Sequence, residues 1–192
     1  MPPIGTEIDR SSADFRANAE RMQNLVDDLL DLSRIESGGW RPSPIDLDAA
    51  HAIGDALTPL REAAARKGTR LVTEVEVPSL RADPMAVRQI VTNLVENAIR
   101  HTPSGGTITV YTRSEHGSVQ LGVRDTGSGI PAEHLPRVFE RFYRVDPARS
   151  RDAGGTGLGL AIVKHLVEAH GGTVSADSEP SGGTVVVASF PV

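Results

Sequence analysis

Two asparagines and an arginine recur at helical spacing in the segment DPMAVRQIVTNLVENAIRHT, residues 83–102. On a helix, Asn93, Asn97 and Arg100 fall within about 60° of one another, and His101 lies at the edge of the same face. Asparagine is a poor residue for a helix interior because its side chain competes for backbone hydrogen bonds. Its amide oxygen is, however, a neutral hard ligand that suits a Mg²⁺ ion shared with waters and phosphate oxygens. The spacing therefore indicates a magnesium and phosphate site, with an ordinary solvated face as the alternative interpretation.

A strand-like run that ends in an acidic residue, VQLGVRDTGSGIP, spans residues 119–131. Asp125 ends the run, and Gly127 and Gly129 allow a sharp turn with close approach of the backbone. A carboxylate in this place can accept a hydrogen bond from an exocyclic amine such as that of adenine. The alternative interpretation is a structural turn that an Asx-type hydrogen bond closes.

A glycine-rich segment, GGTGLGL at residues 154–160, leads directly into an apolar helical pattern. Glycines before a helix start let backbone N–H groups face a bound anion, and the helix dipole adds positive potential. The spacing matches neither a Walker loop nor a dinucleotide-binding fingerprint. The loop before it carries arginines that could clamp phosphates or simply be solvated: Arg137, Arg141, Arg144, Arg149 and Arg151. We expect Phe139 and Phe142 to attach this loop to the core.

The elements that must position these residues alternate between helix and strand signals from about Ile45. Asp83 and Pro84 form an N-cap followed by a first-turn proline, which opens the helix of the two asparagines. Pro59 must kink or interrupt an earlier helix. The predicted helices are 48–67, 83–100 and 157–170, and the predicted strands are 71–77, 107–114, 118–125, 173–177 and 184–190, with a hairpin turn at 115–117. This order predicts an α+β, two-layer α/β sandwich.

One long helix is predicted before that domain, over residues 11–37, with Ser11 or Ser12 as its cap and Gly38-Gly39 as its end. Its narrow, heptad-like apolar stripe suits a partner helix from another chain, and an amphipathic helix packed on its own domain is the alternative. The stripe comprises Phe15, Ala19, Met22, Leu25, Val26, Leu29, Leu32 and Ile35. Residues 38–44 are interpreted as a linker.

Composition limits the classes of protein that need to be considered. The chain has 192 residues, no cysteine and a net charge of −5, which excludes a disulfide scaffold and a thiolate metal site and disfavours nucleic-acid binding. No apolar run approaches the ~20 residues of a membrane span. We therefore expect a cytoplasmic chain, a location compatible with an inner-membrane anchor elsewhere in a longer parent protein.

Together and in this order, the motifs resemble the catalytic domain of sensor histidine kinases, within the ATP-binding superfamily that includes gyrase, the Hsp90 chaperones and MutL. NLVENAIRHT resembles the N box, DTGSGIP the G1 box, FERFYRVD the F box and GGTGLGLAI the G2 box. The resemblance covers about residues 45–192 and implies the Bergerat-type ATP-binding fold. LVDDLLDLSRIESGG also resembles the end of the second dimerisation helix, which leaves residues 1–10 as an N-terminal segment outside the family pattern.

The resemblance implies a role for each matching residue. Asn97, assisted by Asn93, would hold Mg²⁺, with Arg100 near the phosphates and His101 at a position where the family often has tyrosine. Asp125 would bind the adenine amine. The remaining nucleotide contacts would come from Gly127, Gly129 and Ile130 in the G1 box and from Gly155, Thr156, Gly157, Leu158, Gly159 and Leu160 in the G2 box.

Asn93 also bears on the reaction. Hydrolytic relatives that resemble gyrase have a glutamate here, and an amide cannot replace it as the general base that activates water. The resemblance therefore favours phosphoryl transfer to a protein side chain over hydrolysis. Glu96, about 60° from Asn93 on the helix, is a second and less favoured candidate base.

The chain departs from the family in one respect, the phosphoacceptor. None of its six histidines lies in an H-E-x-x-x-P-like motif or in the helix at 11–37. We therefore predict a protein-histidine kinase domain that binds ATP without autophosphorylating and donates phosphate to a histidine on a separate dimerisation domain. A response regulator would be the further partner of the parent protein, and residues 11–37 could form a homodimer. One alternative is a serine kinase that resembles the anti-sigma factor kinases, which phosphorylate serine on a partner protein. The other alternative is a stand-alone ATPase.

Overall fold

The protein is described by a computed structural model over residues 5–146 and 155–192, with side chains of the first helix described from Asn18 onward except Glu20 and Arg21. The helices are α1 (Gly5–Glu36), α2 (Ala49–Leu57), α3 (Leu60–Lys67), α4 (Pro84–His101) and α5 (Gly159–Ala169). The strands are β1 (Ile45–Asp48), β2 (Arg70–Val75), β3 (Ser79–Ala82), β4 (Thr107–Glu115), β5 (Ser118–Asp125), β6 (Thr173–Glu179) and β7 (Gly183–Pro191). A single 3₁₀ turn in the described residues, Leu135–Arg137, follows the G1 segment.

A mixed sheet of five strands in the order β2-β4-β5-β7-β6 carries the domain. Only β2 and β4 are parallel, and the other neighbouring pairs of this sheet are antiparallel. Helices α4 and α5 pack on the sheet and share one core with it, which includes Ile90, Leu94, Ile162 and Phe190. The predicted α+β sandwich is therefore confirmed.

Helix α4 forms as the sequence pattern requires. The Asp83 side chain accepts hydrogen bonds from the backbone N–H groups of Met85 at 2.9 Å and Ala86 at 3.2 Å, and Pro84 stands in the first turn. At the other end, Lys67 Nζ donates to the carbonyl oxygens of Ile99 and Arg100 at 2.5 Å. The helix turns one apolar face to the core: Ala86, Val87, Ile90, Val91, Leu94, Val95 and Ala98 are buried. With both ends capped and that face buried, its polar face is held in place.

Several predicted boundaries need correction. Helix α1 begins at Gly5 and so does not start at Ser11 or Ser12. The interruption predicted at Pro59 is confirmed, because α2 ends at Leu57 and α3 begins at Leu60. Helix α5 begins at Gly159, two residues later than predicted, and the glycines before it remain in a loop. The short antiparallel pair β1 and β3 was not predicted.

The apolar stripe of helix α1 packs on the domain only near the end of the helix, and pairing of its upstream part with another chain stays a prediction. Near its end, Leu32 is buried in the domain core and Ile35 is partly buried against it. Upstream, the side chains of Met22, Leu25, Val26, Leu29 and Leu30 are between 38% and 69% exposed.

Within the described residues, no helix has the length and apolarity needed to span a membrane.

Candidate nucleotide site

The polar face of α4 borders a cavity of about 330 Å³ that Asn93, Asn97, Arg100 and Glu96 line together. Asn93 Nδ2 donates to the carbonyl of Gln89 at 3.0 Å, which leaves the amide oxygen directed toward the start of α5. A Cβ at Gly159 would lie 2.8 Å from that oxygen. Glycine at this position therefore lets the α5 terminus approach the Asn93 oxygen closely.

Asp125 lies at the end of β5 in a second cavity of about 550 Å³, which Asn97 and Arg100 also line. The carboxylate is buried, and its Oδ1 accepts a hydrogen bond from the backbone N–H of Gly127 at 2.7 Å. Burial raises the pKa of Asp125, while hydrogen bonds from the backbone of Gly127 and Thr184 oppose that increase. A buried carboxylate that lines a cavity is a suitable acceptor for a ligand amine.

Two glycines of the G1 turn are needed for its shape. Gly129 has a φ of +70°, and a Cβ there would collide with the carbonyl oxygen of Glu179. A Cβ at Gly127 would lie 2.7 Å from the carbonyl oxygen of His101, at the end of α4. The Gly127 contact thus brings the G1 turn against α4, and the Gly129 contact brings it against the end of β6. Gly129 and Ile130 line the Asp125 cavity, and Gly127 supports it from behind through its hydrogen bond.

The G2 segment closes the space between the two cavities. Gly155 and Gly157 line the Asp125 cavity, while Thr156, Gly157 and Gly159 line the α4 cavity. Gly157 has a φ of +75°, and its carbonyl accepts a hydrogen bond from the backbone N–H of Phe142 at 2.9 Å. Leu160 lines both cavities, whereas the Leu158 side chain is fully buried in the core. Leu158 therefore anchors the segment and contributes only backbone near the site.

Two basic residues at the end of α4, Arg100 and His101, have pKa values below their usual ranges. Burial lowers the pKa of Arg100. The charge of Glu96 opposes this decrease, and the charge of Arg144 adds to it. His101 stands at the exposed rim, yet desolvation by the surrounding protein, with the charges of Arg100 and Lys67, lowers its pKa. The imidazole is consequently neutral at physiological pH and can accept or donate one hydrogen bond. Arg100 lines both cavities and remains a cation at physiological pH.

Of the two phenylalanines expected to attach the loop to the core, the structure confirms Phe139 and contradicts Phe142. Phe139 is partly buried against the core, as expected, but Phe142 is 57% exposed and has a φ of +61°, so it does not attach the loop to the core. Tyr143 lines both cavities instead, with its hydroxyl 2.6 Å from His134 Nδ1. Sequence reasoning missed Tyr143, because nothing in its spacing distinguishes it from the neighbouring aromatics.

The loop arginines have different roles. Arg137 forms hydrogen bonds to Glu140 and stacks 4.3 Å from the Tyr143 ring centroid. Arg141 pairs with Glu36 of α1. Only Arg144 lines a cavity among the predicted clamp residues that the structure describes, while Arg149 and Arg151 lie outside the described residues. Arg137 and Arg141 therefore pair with protein groups in this structure, and neither lines the two cavities.

Helix α1 contributes residues to the site that no motif indicated. Asn24, Asp27 and Asp28 line the α4 cavity from the opposite side. The Thr156 hydroxyl donates to Asp28 Oδ2 at 2.7 Å, and Gln89 Nε2 donates to Asp31 Oδ2 at 2.8 Å. These contacts join segments far apart in sequence, so a local pattern could not have found them.

Comparison with known proteins agrees with this geometry. Residues 82–192, more than half of the chain, match the family described as histidine kinase-, DNA gyrase B-, and HSP90-like ATPases. The sensor protein IrlS of Burkholderia pseudomallei is 39% identical over 175 residues, which are 90% of this chain and 37% of IrlS. The chain thus spans little more than a third of that relative.

Two solved structures are similar over most of the chain. Full-length ShkA in complex with AMPPNP superposes with a TM-score of 0.81 at 28% identity, over 95% of this chain and 38% of ShkA. The mycobacterial sensor histidine kinase MprB gives a TM-score of 0.63 at 30% identity, over 77% of this chain and 97% of the MprB chain. The chain belongs to this ATPase family, and it contains the ATP-binding catalytic domain of the sensor histidine kinase type.

Proposed function

We propose that this domain binds Mg·ATP in the two joined cavities and donates the γ-phosphate to a histidine on a dimerisation domain. The observation that carries the proposal is that Asp125, Asn97, Arg100 and the glycines Gly155 and Gly157 line the same cavity. These groups come from β5, α4 and the segment before α5, and no structural need of the sheet brings them together. The AMPPNP bound by ShkA supports the same use of the fold.

The chemistry of the lining residues suggests one orientation for the nucleotide. Adenine would lie in the Asp125 cavity, because a buried carboxylate with a raised pKa gains from an amine that donates to it. The phosphates would lie toward Arg100 and the backbone of Gly155 and Gly157, where a guanidinium and helix-terminal N–H groups suit anions.

The donor set fits a magnesium ion shared with phosphates better than a site made by protein alone. Among the residues that the structure describes, no group of three or more His, Asp or Glu side chains could hold a metal. Asn97 and Asn93 would hold the ion through amide oxygens, as hard neutral ligands. An ion held by these residues would supply positive charge next to the phosphate oxygens. A side chain at residue 159 would collide with the Asn93 oxygen, and Gly159 avoids this collision.

The side chain of Asn93 disfavours ATP hydrolysis, because it cannot act as a general base. An amide has no basic site able to activate water, so the domain favours transfer to a supplied nucleophile over hydrolysis. In the transfer, a neutral imidazole nitrogen of the acceptor histidine forms a bond to the γ-phosphorus while the bond to the bridging oxygen of ADP breaks. Arg100 stabilises the charge that accumulates on the phosphate oxygens.

The acceptor must come from another domain. Of the six histidines, His101 is the one that lines either of the two cavities. Three others contact protein side chains: His134 contacts Tyr143, His165 lies 3.1 Å from Glu36, and His170 packs near Phe190. His51 and His116 lie outside both cavities. The upstream apolar stripe of α1, Met22 to Leu30, would pair with the dimerisation domain or with a second copy. A response regulator would be the final partner of a longer parent protein at the cytoplasmic side.

The named relatives are sensor kinases, which favours histidine as acceptor over serine and over stand-alone ATP hydrolysis. The test is to incubate the chain with γ-labelled ATP, alone and with a separate histidine-bearing dimerisation domain of a sensor kinase. We expect acid-labile, alkali-stable label on the added domain and none on this chain. A histidine-to-glutamine variant of the added domain serves as the control. Label on this chain, or acid-stable label on serine, would contradict the proposal.

A further inference from the structure

The hydrogen bond between His134 and Tyr143 connects the 3₁₀ turn after the G1 segment to the nucleotide site. His134 directly precedes that turn, and its Nδ1 lies 2.6 Å from the hydroxyl oxygen of Tyr143. Tyr143 lines both cavities, whereas His134 lines neither of them. Any effect of His134 on a bound nucleotide must therefore pass through Tyr143.

The direction of this hydrogen bond follows from the group beside the second ring nitrogen. Nε2 of His134 lies 3.8 Å from the carboxylate of Glu133. A neutral imidazole carries one N–H, and a neighbouring carboxylate favours the tautomer that has this proton on Nε2. Nδ1 is then an acceptor, so the Tyr143 hydroxyl donates its single proton to His134.

Arg137 covers one face of the Tyr143 ring. Its guanidinium carbon lies 4.3 Å from the ring centroid, within the range of a cation–π contact. Glu140 holds the guanidinium in place through N–O distances of 3.0 to 3.2 Å. Because protein covers this face, the opposite face and the edge of the ring are the parts that can contact a ligand.

The position of the Tyr143 side chain depends on these polar contacts. The preceding residue, Phe142, is 57% exposed and buries little apolar surface. Its backbone N–H donates to the Gly157 carbonyl at 2.9 Å, which fixes the course of the chain but not the side-chain rotamer of the next residue. The contacts with His134 and Arg137 restrain that rotamer. A side chain that is ordered before binding loses less conformational entropy when a ligand contacts it.

We propose that His134 is a positioning residue for nucleotide binding. Its hydrogen bond holds the Tyr143 ring at the junction of the two cavities, where the ring contacts the nucleotide between its base and its terminal phosphates. The inference rests on the proposed function, which has adenine in the Asp125 cavity and Mg²⁺ beside Asn93 and Asn97. Without the hydrogen bond, Tyr143 would rotate more freely, and nucleotide binding would have to order it.

The test is calorimetric titration of the full chain with Mg·AMPPNP, using two replacements of similar size. His134→Leu removes the acceptor, whereas His134→Asn places an amide oxygen the same number of bonds from Cβ as the imidazole Nδ1. We expect His134→Leu to bind about threefold to tenfold more weakly than the wild type, and His134→Asn to stay within about twofold. His51→Leu, at a position on α2 where the side chain is 79% exposed, is the control and should bind like the wild type.

A double-mutant cycle identifies Tyr143 as the residue through which His134 acts. Tyr143→Phe should weaken binding about as much as His134→Leu, and the double variant should bind no more weakly than either single variant. Loss of positioning lowers the affinity at unchanged stoichiometry. A loss of folded protein would instead lower the stoichiometry at unchanged affinity.

Three results would overturn the positioning role while leaving the proposed function intact: wild-type affinity in His134→Leu, no recovery in His134→Asn, or additive losses in the double variant. If His134→Leu does not fold, Tyr143→Phe carries the test, and wild-type affinity in that variant has the same meaning. Absence of nucleotide binding by the wild type would instead overturn the proposed function, and the inference with it.

Discussion

The imidazole Nε2 of His170 accepts a hydrogen bond from the backbone N–H of Asp83 at 3.0 Å, while its Nδ1 donates to the Leu166 carbonyl at 2.7 Å. Asp83 in turn caps α4, and its Oδ2 accepts from the backbone N–H of Ser43 in the linker at 2.9 Å. The start of α4, the end of α5 and the linker therefore meet at these two residues. The orientation of the Asn93 and Asn97 face depends on this junction.

Replacing His170 with Ala should destabilise the domain by about 1–3 kcal/mol, because it leaves the Asp83 N–H unsatisfied and removes a ring that packs at 5.6 Å on Phe190. Chemical denaturation measures the change. His51→Ala, at an exposed position on α2, is the control and should stay within about 0.5 kcal/mol of the wild type. Equal stability of the two variants would contradict this role.

Asp125→Asn should separate binding from stability. The amide oxygen can keep the Gly127 hydrogen bond, but the amide NH₂ would then meet the adenine amine as a second donor. We expect Mg·AMPPNP affinity to fall at least about tenfold, measured by calorimetry. Binding within twofold of the wild type would remove Asp125 from the site.

The same variant gives a pH prediction for stability. The pKa of Asp125 is raised in the folded state. The contribution of this carboxyl to the free energy of unfolding is therefore fully present below its unfolded pKa of about 3.9, and it is lost as pH rises through the folded pKa. Asp125→Asn should therefore be at least as stable as the wild type at pH 7, and its relative advantage should shrink toward pH 3. Thermal melts across that range test the sign, and an advantage that grows on acidification would contradict it.

Gly129→Ala tests the strain assigned to the G1 turn. The φ of +70° and the Glu179 carbonyl behind it leave no room for a methyl group, so we expect a loss of about 1–3 kcal/mol in unfolding free energy. Gly54→Ala in α2 is the matched control, because a Cβ there meets nothing within 4 Å. That control should be neutral or more stable by up to about 1 kcal/mol. The prediction fails if both variants unfold alike.

The exposed stripe of α1 predicts self-association. Leu29→Glu introduces a charge at a position that is 51% exposed, and it should convert a dimer into a monomer in light scattering at micromolar concentrations. Ile45→Glu on β1 has the same exposure and should leave the dimer unchanged. A monomeric wild type would contradict the predicted self-association.

Local patterns predicted the elements whose signals lie within a few residues. The apolar spacing of α4, the Asp83–Pro84 start and the Pro59 interruption all depend on neighbouring residues, and the structure bears them out. The motif residues Asp125, Asn97 and Gly157 were found because their types and order are unusual, and the fold brings them together as expected.

The remaining features arise from contacts distant in sequence. Strands β1 and β3 have four residues each, too short for a clear alternation, and exist because Ile45 pairs with Ala82. Asp28 and Thr156 are 128 residues apart, and no pattern in either segment indicates the other. The positive φ of Phe142 follows from its backbone bond to Gly157, which only the tertiary structure creates.

The role of Asn97 in organising a Mg·ATP site can be measured by calorimetric titration of the full chain with AMPPNP, with and without Mg²⁺. We predict saturable binding at one site that Mg²⁺ strengthens, and a loss of at least about tenfold in Asn97→Ala with its thermal melt unchanged. Asn18→Ala, on the exposed side of α1, should bind like the wild type. No binding by the wild type, or equal Mg²⁺-dependent binding by Asn97→Ala, would contradict the account.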